Sequence, residues 1–403
     1  MKYTESEVLQ FVRQEDVKFI RLAFCDIFGE QKNVAILPSE LESAFKYGVA
    51  FDASAIRGFG GEVRSDLFLK PDPATLSAVP WRSDNGRVVR MFCDICYPDD
   101  SIFEGDSRHI LRRAIAEAEK RGLHFYFGAE MEFYLFTLDE NGVSTGMPHD
   151  RAGYMDIAPD DRGENVRRDI CQTLSLMGIH PECSHHEEGP GQNEIDIRYS
   201  EPLSAADNAV TFKSVVKTIS ARNGLCADFS PKPLKDEPGS GLHINVSVTS
   251  DDGKDCLEHM IAGIMDKIDG ITLFLNPCRA SYERLGSKKA PGYVSWSREN
   301  RSQLIRIPAA RNGKERAELR SPDPCANPYI AFALLIYAGL YGIENELPLP
   351  ESADFNLFSA PCEVLKKYKT LPASFDEAAD RMRNAGFASM YLPEELIKAY
   401  CEA

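Results

Sequence analysis

Residues 125–136 read FYFGAEMEFYLF. The even positions are Tyr126, Gly128, Glu130, Glu132, Tyr134 and Phe136, while the odd positions are apolar throughout. A period of two is that of a β-strand, so Glu130 and Glu132 are expected on one face of one strand. Working outward, the alternation recurs. NEIDIRY (193–199) sets Glu194, Asp196 and Arg198 against Ile195, Ile197 and Tyr199, and GLHINVSV (241–248) sets His243, Asn245 and Ser247 against Leu242, Ile244, Val246 and Val248. Glu318 and Arg320 lie two apart in AELRS (317–321), just before a SPDP turn. Each pattern alone describes a solvated sheet face. Together they describe a curved sheet whose polar face, rich in Glu, His and Arg, lines a cavity. Carboxylates packed so closely repel one another unless cations sit among them.

Oxygen donors with a single imidazole suit hard divalent ions, Mg²⁺ or Mn²⁺, better than zinc, and this many donors suits two ions. The arginines of NRSQLIRIP (300–308) and ERAELR (315–320) supply the opposite sign. Guanidinium is the side chain that matches phosphate oxygens, so the combination implies phosphoryl transfer from a nucleotide. The chain has no Walker loop, no GxGxxG and no kinase catalytic loop, which argues against the common nucleotide folds.

The rest of the chain sets bounds on this reading. At 403 residues, two domains are expected, one of them larger. No apolar run approaches the roughly 20 residues of a membrane helix. The opening MKYTESEVLQ has no apolar leader region, so the cytoplasm is the expected compartment. A net charge of −16 opposes binding to nucleic acid or to an anionic membrane. Eleven scattered cysteines lack zinc-site or disulfide spacing and read as small core residues. VKFIRLAF (17–24) and NVAIL (33–37), turning at Gly29, predict a hairpin, and MFCDICY (91–97) a further strand. Ile110, Leu111, Ala114, Ile115 and Ala118 share one helical face, with Ser107 as the expected N-cap and Gly122 past the C-terminus. The reading is therefore an α+β chain divided into residues 1–103 and 104–403.

GAEMEF (128–133), HHEEGPGQNEI (185–195), KPLKDEPGSGLH (232–243), NRSQLIRIP and ELRSPDPCANPYIAFA (318–333) resemble, in order, the signature blocks of the glutamine synthetase family. VKFIRLAFCDIFGEQKNV (17–34) and FDASAIRGF (51–59) extend the resemblance almost to the N-terminus. It implies a small N-terminal β-grasp domain, a larger catalytic domain with a curved antiparallel sheet, and a dodecamer of two hexameric rings whose active sites lie between subunits. It implies an ATP-dependent glutamate–ammonia ligase that forms γ-glutamyl phosphate. Carried over block by block, Glu132, Glu187 and Glu194 hold the metal beside glutamate, and Glu130, His243 and Glu318 hold the metal beside the nucleotide phosphates. Arg301, Arg306 and Arg320 match arginines that bind phosphate and glutamate, Arg284 the residue that grips the substrate carboxylate, and Gly239 a backbone contact to glutamate. Arg316, Ser247 and Tyr199 match positions around ATP. Asp52, Tyr154 and Glu187 match the groups that surround ammonium, with the Asp52 loop supplied by a neighbouring subunit.

The sequence departs from the family pattern in LGSKKAPG (285–292), the flap. The family carries a glutamate before its Ala-Pro pair, where this chain has Lys289 before Ala290-Pro291, reversing the charge. Ala55 replaces a serine, Pro238 an asparagine, and Asn245 the second histidine of an HxH pair. Three readings follow in order: ammonia as acceptor, another amine as acceptor, and a ligand-binding homologue with weak turnover. In the segment LPLPESADFNLFSAPCEVLKKYKTLP (347–372), Tyr368 has a lysine-rich setting unlike the adenylylation site of some bacterial members.

Overall fold

A computed structural model describes residues 3–60, 65–81, 86–310 and 315–402. Two sheets organise it. The first is built from β1 (Val17–Cys25), β2 (Gln31–Ile36), β3 (Val49–Asp52), β4 (Asp66–Pro71), β5 (Ser77–Ala78) and β6 (Arg87–Cys96), in the order β2-β1-β6-β4-β3 with β5 also on β6. β1 and β2 form the expected hairpin. Gly29 turns it at φ 80°, and a Cβ there would stand 2.9 Å from the Cα of Asn327. Only glycine fits such a left-handed turn pressed against another backbone. Asn327 Nδ2 and the Tyr400 hydroxyl both donate to the carbonyl of Ile27, which fastens the hairpin to the C-terminal helices.

The second sheet contains β7 (Leu123–Leu138), β8 (Ser144–Pro148), β9 (Pro181–His186), β10 (Gln192–Ile197), β11 (Leu225–Asp228), β12 (Leu242–Ser250), β13 (Trp296–Arg298), β14 (Ile305–Ile307) and β15 (Ala317–Leu319). Its order is β13-β14-β15-β12-β7-β10-β9, with β8 and β11 also on β7, and it curls around its polar face. All its pairings are antiparallel except β13 with β14. The register aligns the polar residues across the strands. Glu132 lies opposite Glu194, Glu130 opposite both Asp196 and His243, and Glu318 opposite both Asn245 and Arg306. Like charges directly opposite one another weaken a sheet, so this row costs stability unless its charge is neutralised.

Behind the sheet lie the helices Leu257–Leu275 and Pro328–Glu344. The second is capped by Asn327, whose side chain accepts from the Tyr329 N–H. It is apolar on every side because it is buried on every side. Phe332 stacks on Phe127 of β7 with ring centroids 4.3 Å apart. One apolar cluster runs without interruption beneath both sheets. A largely buried ion network ties the first sheet to the helices: Arg108, in the helix Ser107–Glu119, donates to Asp72 and Asp94, at 2.8 Å each, and to both carboxylate oxygens of Asp207, in the helix Pro202–Arg222, at 3.1 and 3.0 Å. No described helix is long and apolar enough to cross a membrane.

Two local readings are corrected. The helix Ser107–Glu119 is capped by Asp106, whose side chain accepts from the Arg108 N–H, while Ser107 is its first residue. Burial lifts Asp106 to about 7, since its carboxylate is fully enclosed. All eleven cysteines are free thiols, but Cys183 and Cys362 are exposed, so the core reading holds for only part of the set.

Candidate active site

The sheet register brings carboxylates and one imidazole together. Ligand atoms of Glu130, Glu194 and His243 all lie within 4.8 Å of one another, and so do those of His185, Glu187 and Glu194. Glu194 belongs to both groups and so links two adjoining sites. His243 Nδ1 is 3.6 Å from Glu130 and 4.0 Å from Glu318, and its Nε2 is 3.9 Å from Glu132. Those separations exceed a hydrogen bond and suit atoms that share an ion. Burial, reinforced by the Arg320 guanidinium, holds His243 down to about 3, so the ring is neutral and one of its two nitrogens has a lone pair free for an ion. Burial and then the neighbouring carboxylates of Glu132, Asp196 and Glu187 push Glu194 well above the usual carboxylate range. Burial followed by Glu130 lifts Asp196 to about 6. Hard donors, a neutral imidazole and carboxylates strained by their mutual repulsion fit divalent cations.

Glu132 has a second task. Its Oε2 accepts from the Gly241 N–H at 2.8 Å and from Gln192 Nε2 at 3.1 Å, tying β7 and β10 to the loop 232–241. That loop presses on a buried arginine. A Cβ on Gly239 would meet the Pro231 carbonyl at 2.3 Å and Arg284 Cγ at 2.8 Å. Arg284 is held by the carbonyls of Ser321 and Arg320 at 2.7 and 3.2 Å, which fixes its guanidinium beside the loop. Arg306 and Arg320 both pair with the buried Glu318. Arg320 also donates to the Arg301 carbonyl at 3.1 Å. Arg301 is exposed and lines a cavity of about 780 Å³ with Lys289, Asn300 and Phe355.

At the other end of β7, Tyr199 is half exposed with its ring perpendicular to Tyr126, centroids 6.4 Å apart, and Ser247 lies opposite Tyr126 on β12. Arg316 reaches the same strand: its Nε donates to Asn245 Oδ1 at 2.7 Å, and Asn245 Nδ2 donates to Glu130 at 2.7 Å. The asparagine that departs from the HxH pattern thus links a ligand carboxylate to an arginine. Tyr154 packs its ring edge-on to His185, and partial burial followed by the nearby Glu187 raises its hydroxyl. Asp52 is placed apart. It ends β3 in the first sheet, exposed, and accepts from the Ser54 N–H and hydroxyl at 2.9 and 2.7 Å.

Two residues missed in the sequence reading belong here. His185 joins Glu187 and Glu194; the adjacent His185-His186 pair was its only sequence signal, and His186 is instead buried against Asp150 at 2.8 Å. Glu188 meets the flap: its Oε1 is 2.8 Å from Lys289 Nζ. Nothing in either local sequence announces that pairing.

The model of the glutamine synthetase beta-Grasp domain matches residues 16–98, and that of the glutamine synthetase catalytic domain matches residues 104–403. Glutamine synthetase of Clostridium saccharobutylicum is 43 % identical, over 99 % of this chain and 94 % of its own. That of Methanosarcina mazei is 44 % identical over 98 % and 92 %. Among solved structures, the chain titled "GmaS/ADP complex-Conformation 1" superposes with a TM-score of 0.88 at 25 % identity, over 98 % of this chain and 94 % of that one. Plasmodium falciparum glutamine synthetase, at 21 % identity, shares the fold with a TM-score of 0.86, over 100 % and 96 %.

Proposed function

The chain belongs to the glutamine synthetase family, and on that premise we propose that it is an ATP-dependent glutamate–ammonia ligase acting through γ-glutamyl phosphate. The observation that carries the reading is the cross-strand row of Glu132–Glu194, Asp196–Glu130–His243 and Asn245–Glu318–Arg306, with Arg284 and Arg320 beside it. Two divalent ions, Mg²⁺ or Mn²⁺, when held there supply charge neutralisation for phosphate oxygens. Glu132, Glu187 and Glu194, with His185 as a further donor, are assigned to the ion beside glutamate. Glu130, His243 and Glu318 are assigned to the ion beside the phosphates.

Arg284 takes the α-carboxylate of glutamate, with the Gly239 backbone against the same molecule. Arg301, Arg306 and Arg320 face the transferred phosphoryl group; Arg306 and Arg320 trade part of their contact with Glu318 for phosphate oxygens as charge develops. ATP lies toward Tyr199, Ser247 and Arg316, where an aromatic face and a guanidinium are both available. The γ-carboxylate attacks the terminal phosphate, ADP leaves, and ammonia then displaces phosphate from the acyl carbon. Glu187, with Asp52 from a neighbouring subunit, receives the proton that ammonium must lose, and the Tyr154 hydroxyl accepts a hydrogen bond from ammonium and orients it. Asp52 is exposed at the end of β3 in the first sheet and belongs to neither ligand group, which supports completion of the site by assembly into a homo-oligomer, for which we propose two stacked hexamers. A division at residues 103/104 and a cytoplasmic location complete the proposal.

A second reading, transfer to another primary amine, is favoured by Lys289 in the flap. Purified protein given ATP, glutamate, metal and either ammonium or a panel of primary amines separates the two by phosphate release and product mass. Ammonium is expected to give glutamine at the highest kcat/KM. Preference for an alkylamine would overturn the first reading, and no phosphate release with any acceptor would overturn both.

A further inference from the structure

Two cysteines from distant parts of the sequence meet beside Arg284. Cys278 lies between the helix Leu257–Leu275 and the short helix Ser281–Arg284, and Cys325 lies just past the SPDP turn that follows Arg320. Their sulfurs and a carboxylate oxygen of Asp323 all lie within 4.8 Å of one another, and among the described residues no other such group holds two thiols. Both cysteines are half-buried, so neither is sealed in the core. Asp323 is already engaged: one oxygen accepts from the Cys325 N–H at 3.0 Å and the other from Asn276 Nδ2 at 2.8 Å. With the carboxylate taken, the free chemistry of the group is that of a dithiol.

The surroundings make the two thiols unequal. A hydrogen bond from Cys325 holds the Cys278 thiol below its usual range, and the same bond, followed by burial, pushes the Cys325 thiol up. The Ser281 hydroxyl also donates to Cys278 Sγ, at 3.4 Å, and Lys213, whose Nζ donates to the Pro324 carbonyl at 2.9 Å, sets a positive charge against that of Asp323. By contrast, burial pushes up the thiols of Cys25, Cys93 and Cys256. An acidic thiol with a second thiol at hand is the arrangement of a reactive cysteine and its resolving partner. The pair also sits where two substrate arginines are anchored. Asn276 and Arg284 both donate to the Ser321 carbonyl, at 2.9 and 2.7 Å, and the Cys278 N–H donates to Ser281 Oγ at 3.2 Å. Drawing Cys278 toward Cys325 takes its sulfur off Ser281, the first residue of the helix that ends at Arg284.

We propose that Cys278 and Cys325 form a peroxide-reactive dithiol that closes to an intrachain disulfide and, by shifting the turn that carries Arg284, weakens glutamate binding. The Cys278 thiolate attacks one oxygen of hydrogen peroxide; the S–O bond forms, the O–O bond breaks, and the hydroxide released takes up the thiol proton as water. Cys325 then attacks the Cys278 sulfenic acid; the S–S bond forms, the S–OH bond breaks, and a second water leaves with the Cys325 proton. Two thiols are oxidised and one peroxide is reduced. In the reducing compartment proposed for this chain such a bond is transient, and a dithiol reductant reopens it. The site stands on its own geometry, while its effect on glutamate rests on the ligase reading and its assignment of Arg284.

The test treats the whole reduced enzyme with hydrogen peroxide in chelator-washed buffer and maps its peptides without reduction by mass spectrometry. A peptide linked through Cys278 and Cys325 is expected, lost again on addition of dithiothreitol. Cys325→Ser should instead leave a sulfenic acid on Cys278, trapped by dimedone, and Cys278→Ser should leave Cys325 unmodified. Steady-state phosphate release is the second readout. Oxidation of the wild type should raise the KM for glutamate about fivefold or more, reversibly, and leave the KM for ATP within about twofold, while both serine variants keep their untreated values after peroxide. No linked peptide in the wild type, or dimedone on Cys325 rather than on Cys278, overturns the dithiol. A linked peptide with an unchanged glutamate KM, or an equal loss in the serine variants, overturns its effect on glutamate. A reduced enzyme that releases no phosphate with glutamate and any acceptor removes the ligase reading, and the peptide map then still decides whether the dithiol exists.

Discussion

Gly239→Ala adds one methyl group where the structure has no room for it. The new Cβ would stand 2.3 Å from the Pro231 carbonyl oxygen, and ordinary van der Waals contact begins near 3.4 Å, so the overlap is more than an ångström. The obstacle on that side is backbone and cannot rotate away. On the other side, Arg284 Cγ at 2.8 Å and Cδ at 3.0 Å must yield, which pulls the guanidinium from the Ser321 and Arg320 carbonyls. Overpacking of this kind costs about 1–3 kcal/mol. If the strain is relieved by displacing Arg284, glutamate binding bears it, and the KM for glutamate should rise by about 5- to 150-fold. Tyr199 and Ser247 lie on the far side of the row, so the KM for ATP should move by less than about twofold. Steady-state phosphate release, with each substrate varied in turn, separates the two. Thermal unfolding with saturating ATP checks that the variant is folded. An unchanged glutamate KM in a folded variant, or equal changes in both KM values, would refute the assignment of Arg284 and the Gly239 loop to glutamate.

Replacing His243 by Ala should weaken divalent-metal binding at least tenfold in calorimetric titration, because a neutral imidazole is lost from the Glu130–Glu194 group. The raised Glu194 and Asp196, the latter at about 6, predict a pH effect on the metal-free protein. Groups raised on folding favour the fold below the ordinary carboxylate range and lose that contribution as pH climbs through their folded values, so metal should raise Tm more at pH 7.5 than at pH 5.5, with proton release on binding. Tyr199→Ala should raise the KM for ATP about two- to tenfold and leave that for glutamate in place, since only the half-exposed ring at the Tyr126 end is removed. Arg108→Ala leaves Asp72, Asp94 and Asp207 without their shared partner and should cost about 3–5 kcal/mol in denaturant unfolding, with no selective effect on either KM.

The alternation of β7 was legible because one face meets the apolar layer and the other the cavity. It fades after Met131, where Glu132 is covered by Gly241 and Tyr134 is buried with its hydroxyl on the Pro238 carbonyl. Loop atoms, invisible to periodicity, close over what would otherwise be an open polar face. The row of donors could be read strand by strand, but its register could not, because register is set by pairing between segments distant in sequence. The same limit hid Glu188 from Lys289 and Arg108 from Asp207. Asp106 took the cap expected of Ser107 because both types cap well and only one backbone conformation is extended there.

Activation of the γ-carboxylate by phosphorylation is the central step of the proposed reaction. Glutamate labelled with ¹⁸O in its γ-carboxylate, incubated with the enzyme, ATP, metal and ammonium, reports this directly by mass spectrometry of the products. A γ-glutamyl phosphate route places one labelled oxygen in each phosphate released and keeps the other in glutamine. Unlabelled phosphate accompanying glutamine, or phosphate release that does not require glutamate, would contradict it.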